Sequence, residues 1–191
     1  GLGDVYKRQA KSVYFVYSGE VMLYNLTKHG NRKVIFILGK GRLLNQSIVS
    51  KKPNALFCEA ACPVQVIEIA EKQFLQLMEQ SHALTRAVLR EYERNLWRMG
   101  HQLKNTTGNM QMERKIAAKL WKLGRDFGVD TEDGVMIDID LTITLMADLV
   151  GAPRENVSRA CKVLTDRGLI RYGNKRFILI DFDGLAKFYK M

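Results

Sequence analysis

Apolar residues between residues 11 and 69 come in short runs separated by glycine turns. Val13-Tyr14-Phe15-Val16-Tyr17 is followed by Ser18-Gly19, then Val21-Met22-Leu23-Tyr24. The turn Lys28-His29-Gly30-Asn31 leads to Val34-Ile35-Phe36-Ile37-Leu38, which stops at Gly39-Lys40-Gly41. Aromatic and β-branched runs at this spacing predict an antiparallel sandwich or barrel. Leu56-Phe57-Cys58 and Val64-Gln65-Val66-Ile67-Glu68-Ile69 are its expected closing strands.

The period changes near Glu71. From there to about Met110 the composition is helical, with a break expected near Ser81-His82. Leu89, Tyr92, Leu96, Met99 and Leu103 recur at alternating spacings of 3 and 4, the seam of a coiled coil. Two readings follow. The helix packs on its own domain, or two copies pair along the seam as a symmetric dimer. Gly100 within this helix costs roughly 1 kcal/mol relative to Ala. Asn105-Thr106-Thr107-Gly108-Asn109 reads as a fraying end or hinge.

Beyond it, Met112 to Phe127 is helical, with Ile116, Leu120 and Leu123 on one face and Gly124 and Gly128 weakening its end. Asp130 to Gly134 reads as a polar turn, and Val135 to Asp140 alternates as a strand. The expected organisation is α+β: a β domain over 10–80, a long helix over 81–110 and a third domain over 111–191.

That third domain holds the most informative segment. Thr142 can cap a helix running to Val150, because its hydroxyl can accept from a free first-turn amide. Gly151 suits a sharp turn, and Pro153 suits the first position of a second helix reaching about Asp166. Two helices joined so tightly make a helix-turn-helix. Val157, Ala160, Cys161 and Leu164 form a buried stripe on the second, leaving Arg154, Glu155, Ser158 and Arg159 on the other side. Near a helix N-terminus in the major groove, such side chains reach base edges. Arg matches guanine acceptors, Glu accepts from the cytosine amino group, and Ser serves several bases. Glu155 and Arg159 are also i, i+4 partners, so a surface ion pair is the competing reading. Leu169 to Tyr172 and Phe177 to Ile180 are two strands around Gly173-Asn174-Lys175-Arg176, a wing with a basic tip. Lys175 and Arg176 are phosphate-contact candidates.

Charge sharpens this. The 191 residues carry +10, and the stretch from Arg154 to Arg176 holds seven Lys or Arg against Glu155 and Asp166, half of that excess. A polyanionic partner, double-stranded DNA, is expected. No apolar run approaches the roughly 20 residues that cross a bilayer. Three scattered Cys (Cys58, Cys62, Cys161) suit a reducing cytoplasm rather than a disulfide framework. The chain starts at Gly1 without an initiating Met, which suggests a fragment whose first nine residues are not native.

Leu149-Val150-Gly151-Ala152-Pro153-Arg154-Glu155-Asn156-Val157-Ser158-Arg159, with Leu164-Thr165-Asp166-Arg167-Gly168-Leu169-Ile170, resembles the cyclic AMP receptor protein and fumarate-nitrate regulator (Crp/Fnr) family of bacterial transcription factors. Val13 to Val21 resembles the central hairpin of that family's β-roll, and the first strands of the roll are missing. The resemblance implies a β-roll (double-stranded β-helix) effector domain, a dimerisation helix and a C-terminal winged helix-turn-helix acting as a homodimer on a palindromic operator. It places Glu155, Ser158 and Arg159, with Arg154 and Thr142, at the DNA, on a half-site resembling TTGA. It leaves RNA polymerase open as a further partner. The family's nucleotide pocket uses a Gly-Glu pair and an Arg-Ser pair. Here those positions hold Asn45-Gln46 and Asn54-Ala55, so cyclic AMP would lose its main charge-assisted contacts. The effector is unknown; an apolar or aromatic one, as in the branch responding to halogenated phenols, is what the resemblance offers. The Cys spacing does not suit an iron–sulfur cluster, although a cluster in missing N-terminal residues stays open.

Two competing readings remain. A metal-dependent cupin-like enzyme would need His ligands on neighbouring strands. The three His (His29, His82, His101) fall in a turn and in the helical stretch, so no catalytic, metal or cofactor residue is assigned. A helix-turn-helix that binds protein is disfavoured by the basic wing.

Overall fold

A computed structural model describes residues 11–28, 30–50, 52–106 and 110–190. The first nine residues, His29 of the second turn and residues 107–109 of the expected hinge lie outside the described residues. The chain divides into two compact units, Gly1–Lys104 and Asn105–Met191.

The first unit begins with β1 (Ser12–Ser18), β2 (Val21–Leu26), β3 (Arg32–Leu38), β4 (Phe57–Ala60) and β5 (Gln65–Ala70). β1 pairs with β5, and β2 lies between β3 and β4, all antiparallel. The segment after β3 runs along β1: Val16 N–H donates to Arg42 O, Gly41 N–H to Val16 O and Leu44 N–H to Tyr14 O. These two layers make the β-roll. Its interior holds Val16, Val21, Leu23, Phe36, Leu38, Leu44 and Cys58.

Two helices close the unit, α1 (Glu71–Gln80) and α2 (His82–Thr106), separated where expected by an extended Ser81. Phe74 of α1 and Val88 of α2 pack with Val13, Leu43 and Ile48. Polar ties fix α2 to the roll. Arg42 donates to Glu91 at 2.6 Å and to Asn95 at 3.2 Å. Gln102 donates to Ile35 O, and the buried Arg98 lies over the Phe36 ring.

The second unit comprises α3 (Met112–Phe127), β6 (Gly128–Thr131), β7 (Gly134–Ile137), α4 (Ile143–Val150), α5 (Arg154–Asp166), β8 (Ile170–Gly173), β9 (Arg176–Leu179) and α6 (Phe182–Lys190). Its sheet order is β6-β7-β9-β8. Ile116, Leu120, Ile137, Leu141, Met146, Leu164, Phe177, Leu179 and Leu185 fill the core.

Two expectations change here. Of the residues read as a polar turn, only Glu132 and Asp133 turn; Asp130 and Thr131 belong to β6, an edge strand with all four residues exposed, and Gly134 opens β7. The strand expected to reach Asp140 ends at Ile137, where pairing with β6 and β9 stops. Gly124 also has a packing role. A Cβ there would stand 2.5 Å from Leu179 Cδ1, so the glycine lets helix and sheet approach closely. The α6 helix was not foreseen; its Phe182 stacks on Trp121 and its Leu185 is buried.

Candidate nucleic-acid interface

Local chemistry dictates the α4–α5 corner. Thr142 Oγ1 accepts from Leu145 N–H at 3.0 Å, capping α4. Leu145, Met146, Ala147 and Leu149 bury its inner face. Gly151 then adopts a left-handed conformation (φ 73°), and its N–H closes onto Ala147 O at 2.7 Å. Without a Cβ, this costs little. Pro153 is the α5 N-cap, its carbonyl accepting from the Asn156 and Val157 amides.

On α5 the stripe Val157, Ala160, Cys161 and Leu164 is buried. Arg154, Glu155, Ser158 and Arg159 are exposed, together with Lys162. The i, i+4 pair does not form. Arg159 Nη2 donates to Asn156 Oδ1 at 2.5 Å, and Glu155 has no ion-pair partner among the described residues. The quartet therefore presents two guanidinium groups, a carboxylate and a hydroxyl from the first turns of one helix. Asn156, as the side chain that steadies Arg159, was not singled out in the sequence; its i, i+3 spacing was the available signal.

The wing is β8, β9 and the tip between them. Asn174 and Lys175 both have positive φ (49° and 60°), the geometry of a type I′ turn matching strand twist. Lys175 is exposed and has no carboxylate partner among the described residues. Arg176 differs: its guanidinium pairs with Asp138 and lies 3.8 Å from Asp140. Arg171 pairs with Asp133, and Arg167 lies over the Phe188 ring. Of the seven cations of this stretch, Arg154, Arg159, Lys162 and Lys175 have neither a carboxylate nor an aromatic partner among the described residues.

The expected effector positions are occupied with their own chain. Asn45 is buried; it accepts from Tyr14 N–H and donates to Ser12 O. Gln46 donates to Leu44 O and accepts from Leu56 N–H, while Asn54 Oδ1 accepts from Gln46 N–H. Ala55 is exposed. These amides staple the loop between β3 and β4.

The expected dimer seam divides in two. Leu89 (55 % exposed), Leu96 (72 %), Met99 (45 %) and Leu103 (63 %) form an open ridge along α2, with Trp97 nearby. Tyr92 belongs to the packed face instead. It lies against the Val13–Phe74 cluster, its hydroxyl donates to Asn45 O, and burial pushes its pKa up to about 12.

The thiols are free. Burial raises Cys58 to about 12 and Cys161 to about 11, so neither offers thiolate near neutral pH. Cys62 is partly exposed, donating to Glu20. Brief alkylation of the native protein at pH 8 should label Cys62 and spare the other two. Mass-spectrometric labelling of Cys58 or Cys161 at a comparable rate would contradict their burial. Among the described residues no three His, Cys, Asp or Glu side chains gather into a metal-sized cluster, and no helix is long and apolar enough to cross a membrane.

Comparison with known proteins agrees with this architecture. Residues 114–188 match the Crp-like helix-turn-helix domain, and residues 6–81 match the cyclic nucleotide-binding domain. The CRP-like cAMP-activated global transcriptional regulator of Mycobacterium tuberculosis is 24 % identical over 176 residues, covering 92 % of this chain and 78 % of that protein. The global nitrogen regulator of a Nostoc species is 24 % identical over 170 residues, covering 87 % and 76 %. Among solved structures, FixK2 from Bradyrhizobium japonicum superposes with a TM-score of 0.79 at 20 % identity, over 94 % of this chain and 88 % of that one.

Proposed function

Because this chain belongs to the Crp/Fnr family and is a DNA-binding transcription regulator of that type under effector control, we propose that it acts in the cytoplasm as a homodimer on a palindromic operator. One observation carries the reading of DNA: Arg154, Glu155, Ser158 and Arg159 are all exposed on a helix whose opposite stripe is buried. Arg159 and Arg154 offer paired donors to guanine, Glu155 accepts from cytosine, and Ser158 adapts to its neighbours. Lys175 supplies a phosphate contact at the wing. Thr142, with its oxygen used in capping, still has a hydroxyl proton to donate to a phosphate at the start of α4. A half-site like TTGA suits this side-chain set.

The dimer reading rests on the ridge of Leu89, Leu96, Met99 and Leu103. A contiguous line of large exposed apolar side chains marks an interface. Cyclic AMP is not the effector in this proposal. At the pocket positions stand amides already bonded within the loop, and no Arg or Glu is there to grip phosphate or ribose.

Titrating the protein into a fluorescent random-sequence duplex at several salt concentrations tests the DNA reading. Log affinity should fall linearly and steeply with log salt. A flat response would sink it. Added cyclic AMP should leave both slope and affinity unchanged, and tighter binding in its presence would overturn the effector reading.

A further inference from the structure

The wing carries an arrangement that net charge alone does not foretell. Ile137, Ile139 and Leu141 are buried in alternation, so Asp138 and Asp140 both project to the exposed side. Asp138 is anchored by its backbone N–H, which donates to Phe127 O at 2.8 Å. Both carboxylates face the Arg176 guanidinium, one in direct contact and the other at 3.8 Å. One residue further, Leu141 N–H donates to Lys175 O at 2.7 Å, tying the wing tip to the chain just before the Thr142 cap.

The local charge of Asp138, Asp140 and Arg176 is thus negative, although the wing reads as basic. Lys175 holds a left-handed backbone that a Gly would adopt more cheaply. Its ammonium is the wing charge without an acidic partner among the described residues.

We propose that Asp138 and Asp140 are positioning residues of the DNA interface: they hold Arg176 as an internal strut of the wing, leave phosphate contact to Lys175, and hold down affinity for non-specific DNA. This rests on the DNA-binding reading above. A phosphate reaching Arg176 must displace two carboxylates and approach their uncompensated charge. Because exposed pairs contribute little to stability, the effect belongs to binding rather than to melting.

The test uses the full chain and a random-sequence duplex, reading affinity against salt. Each phosphate contact adds about 0.9 to the log–log slope, which corresponds to five- to tenfold in affinity near 0.1 M salt. Lys175→Gln should lower the slope by about 0.9 per protomer, about 1.8 for the dimer. Arg176→Gln removes no phosphate contact and should lower the slope by far less than Lys175→Gln does. Asp138→Asn with Asp140→Asn should free Arg176, steepen the slope by about 0.9 and tighten binding about five- to tenfold for each protomer's wing on the duplex. The proposal is overturned if Arg176→Gln lowers the slope as much as Lys175→Gln does, or if the folded double variant binds no tighter. Should the double variant melt, Arg176→Gln against Lys175→Gln decides alone. Failure of the wild-type protein to bind any duplex would instead refute the DNA reading on which the proposal rests.

Discussion

Arg159→Ala should sharply reduce discrimination between the operator selected by the wild-type protein and random DNA. Arg159 is exposed, and Asn156 steadies its guanidinium along α5. A well-placed pair of donors on guanine discriminates by about 1–3 kcal/mol. A two-fold dimer makes the contact twice, so about 2–6 kcal/mol is lost, or roughly 30-fold to 10⁴-fold in operator affinity. Random DNA loses one charge per protomer at most, so its binding should fall far less. The inner stripe of α5 is untouched, and the melting temperature should stay within a degree or two of wild type. Equal losses on operator and random DNA would refute base reading by Arg159.

Leu96→Arg should convert the protein to a monomer. Leu96 is 72 % exposed at the middle of the α2 ridge, between Leu89 and Leu103. Its replacement creates no cavity within the chain and places a charge where two ridges would meet. Linking two half-site readers raises affinity by about 10²–10⁴ through effective concentration, and this factor disappears when the pair separates. Sedimentation velocity should show half the wild-type mass, with operator affinity lower by at least a hundredfold. Binding to a single half-site should be nearly unchanged. A variant that sediments as wild type would remove α2 from the dimer.

How much of this was legible in the chain depends on the range of the interaction. The α4–α5 corner was readable because Thr142, Gly151 and Pro153 each act within a few residues of themselves. The strands of the roll were readable from glycine turns and apolar runs. β6 was not, since an exposed edge strand of polar residues carries no burial signal. The α6 helix was missed because it is short and earns its place by covering Trp121. Tyr92 fits the heptad spacing of α2 yet turns toward Asn45, 47 positions away. The Arg176 pairing likewise joins residues 38 positions apart, which no local pattern reveals. The self-bonding of Asn45, Gln46 and Asn54 was foreshadowed only by their amide character.

The central claim is that the exposed face of α5 reads base edges. Selection of bound duplexes from a random pool, run in parallel for the wild-type protein and Glu155→Ala, tests it most directly. The wild type should recover an inverted repeat with half-site centres about one helical turn apart, and the variant should keep that repeat while losing preference at one base pair of each half-site. An unbiased wild-type pool, or the same preference at every position in both pools, would contradict it.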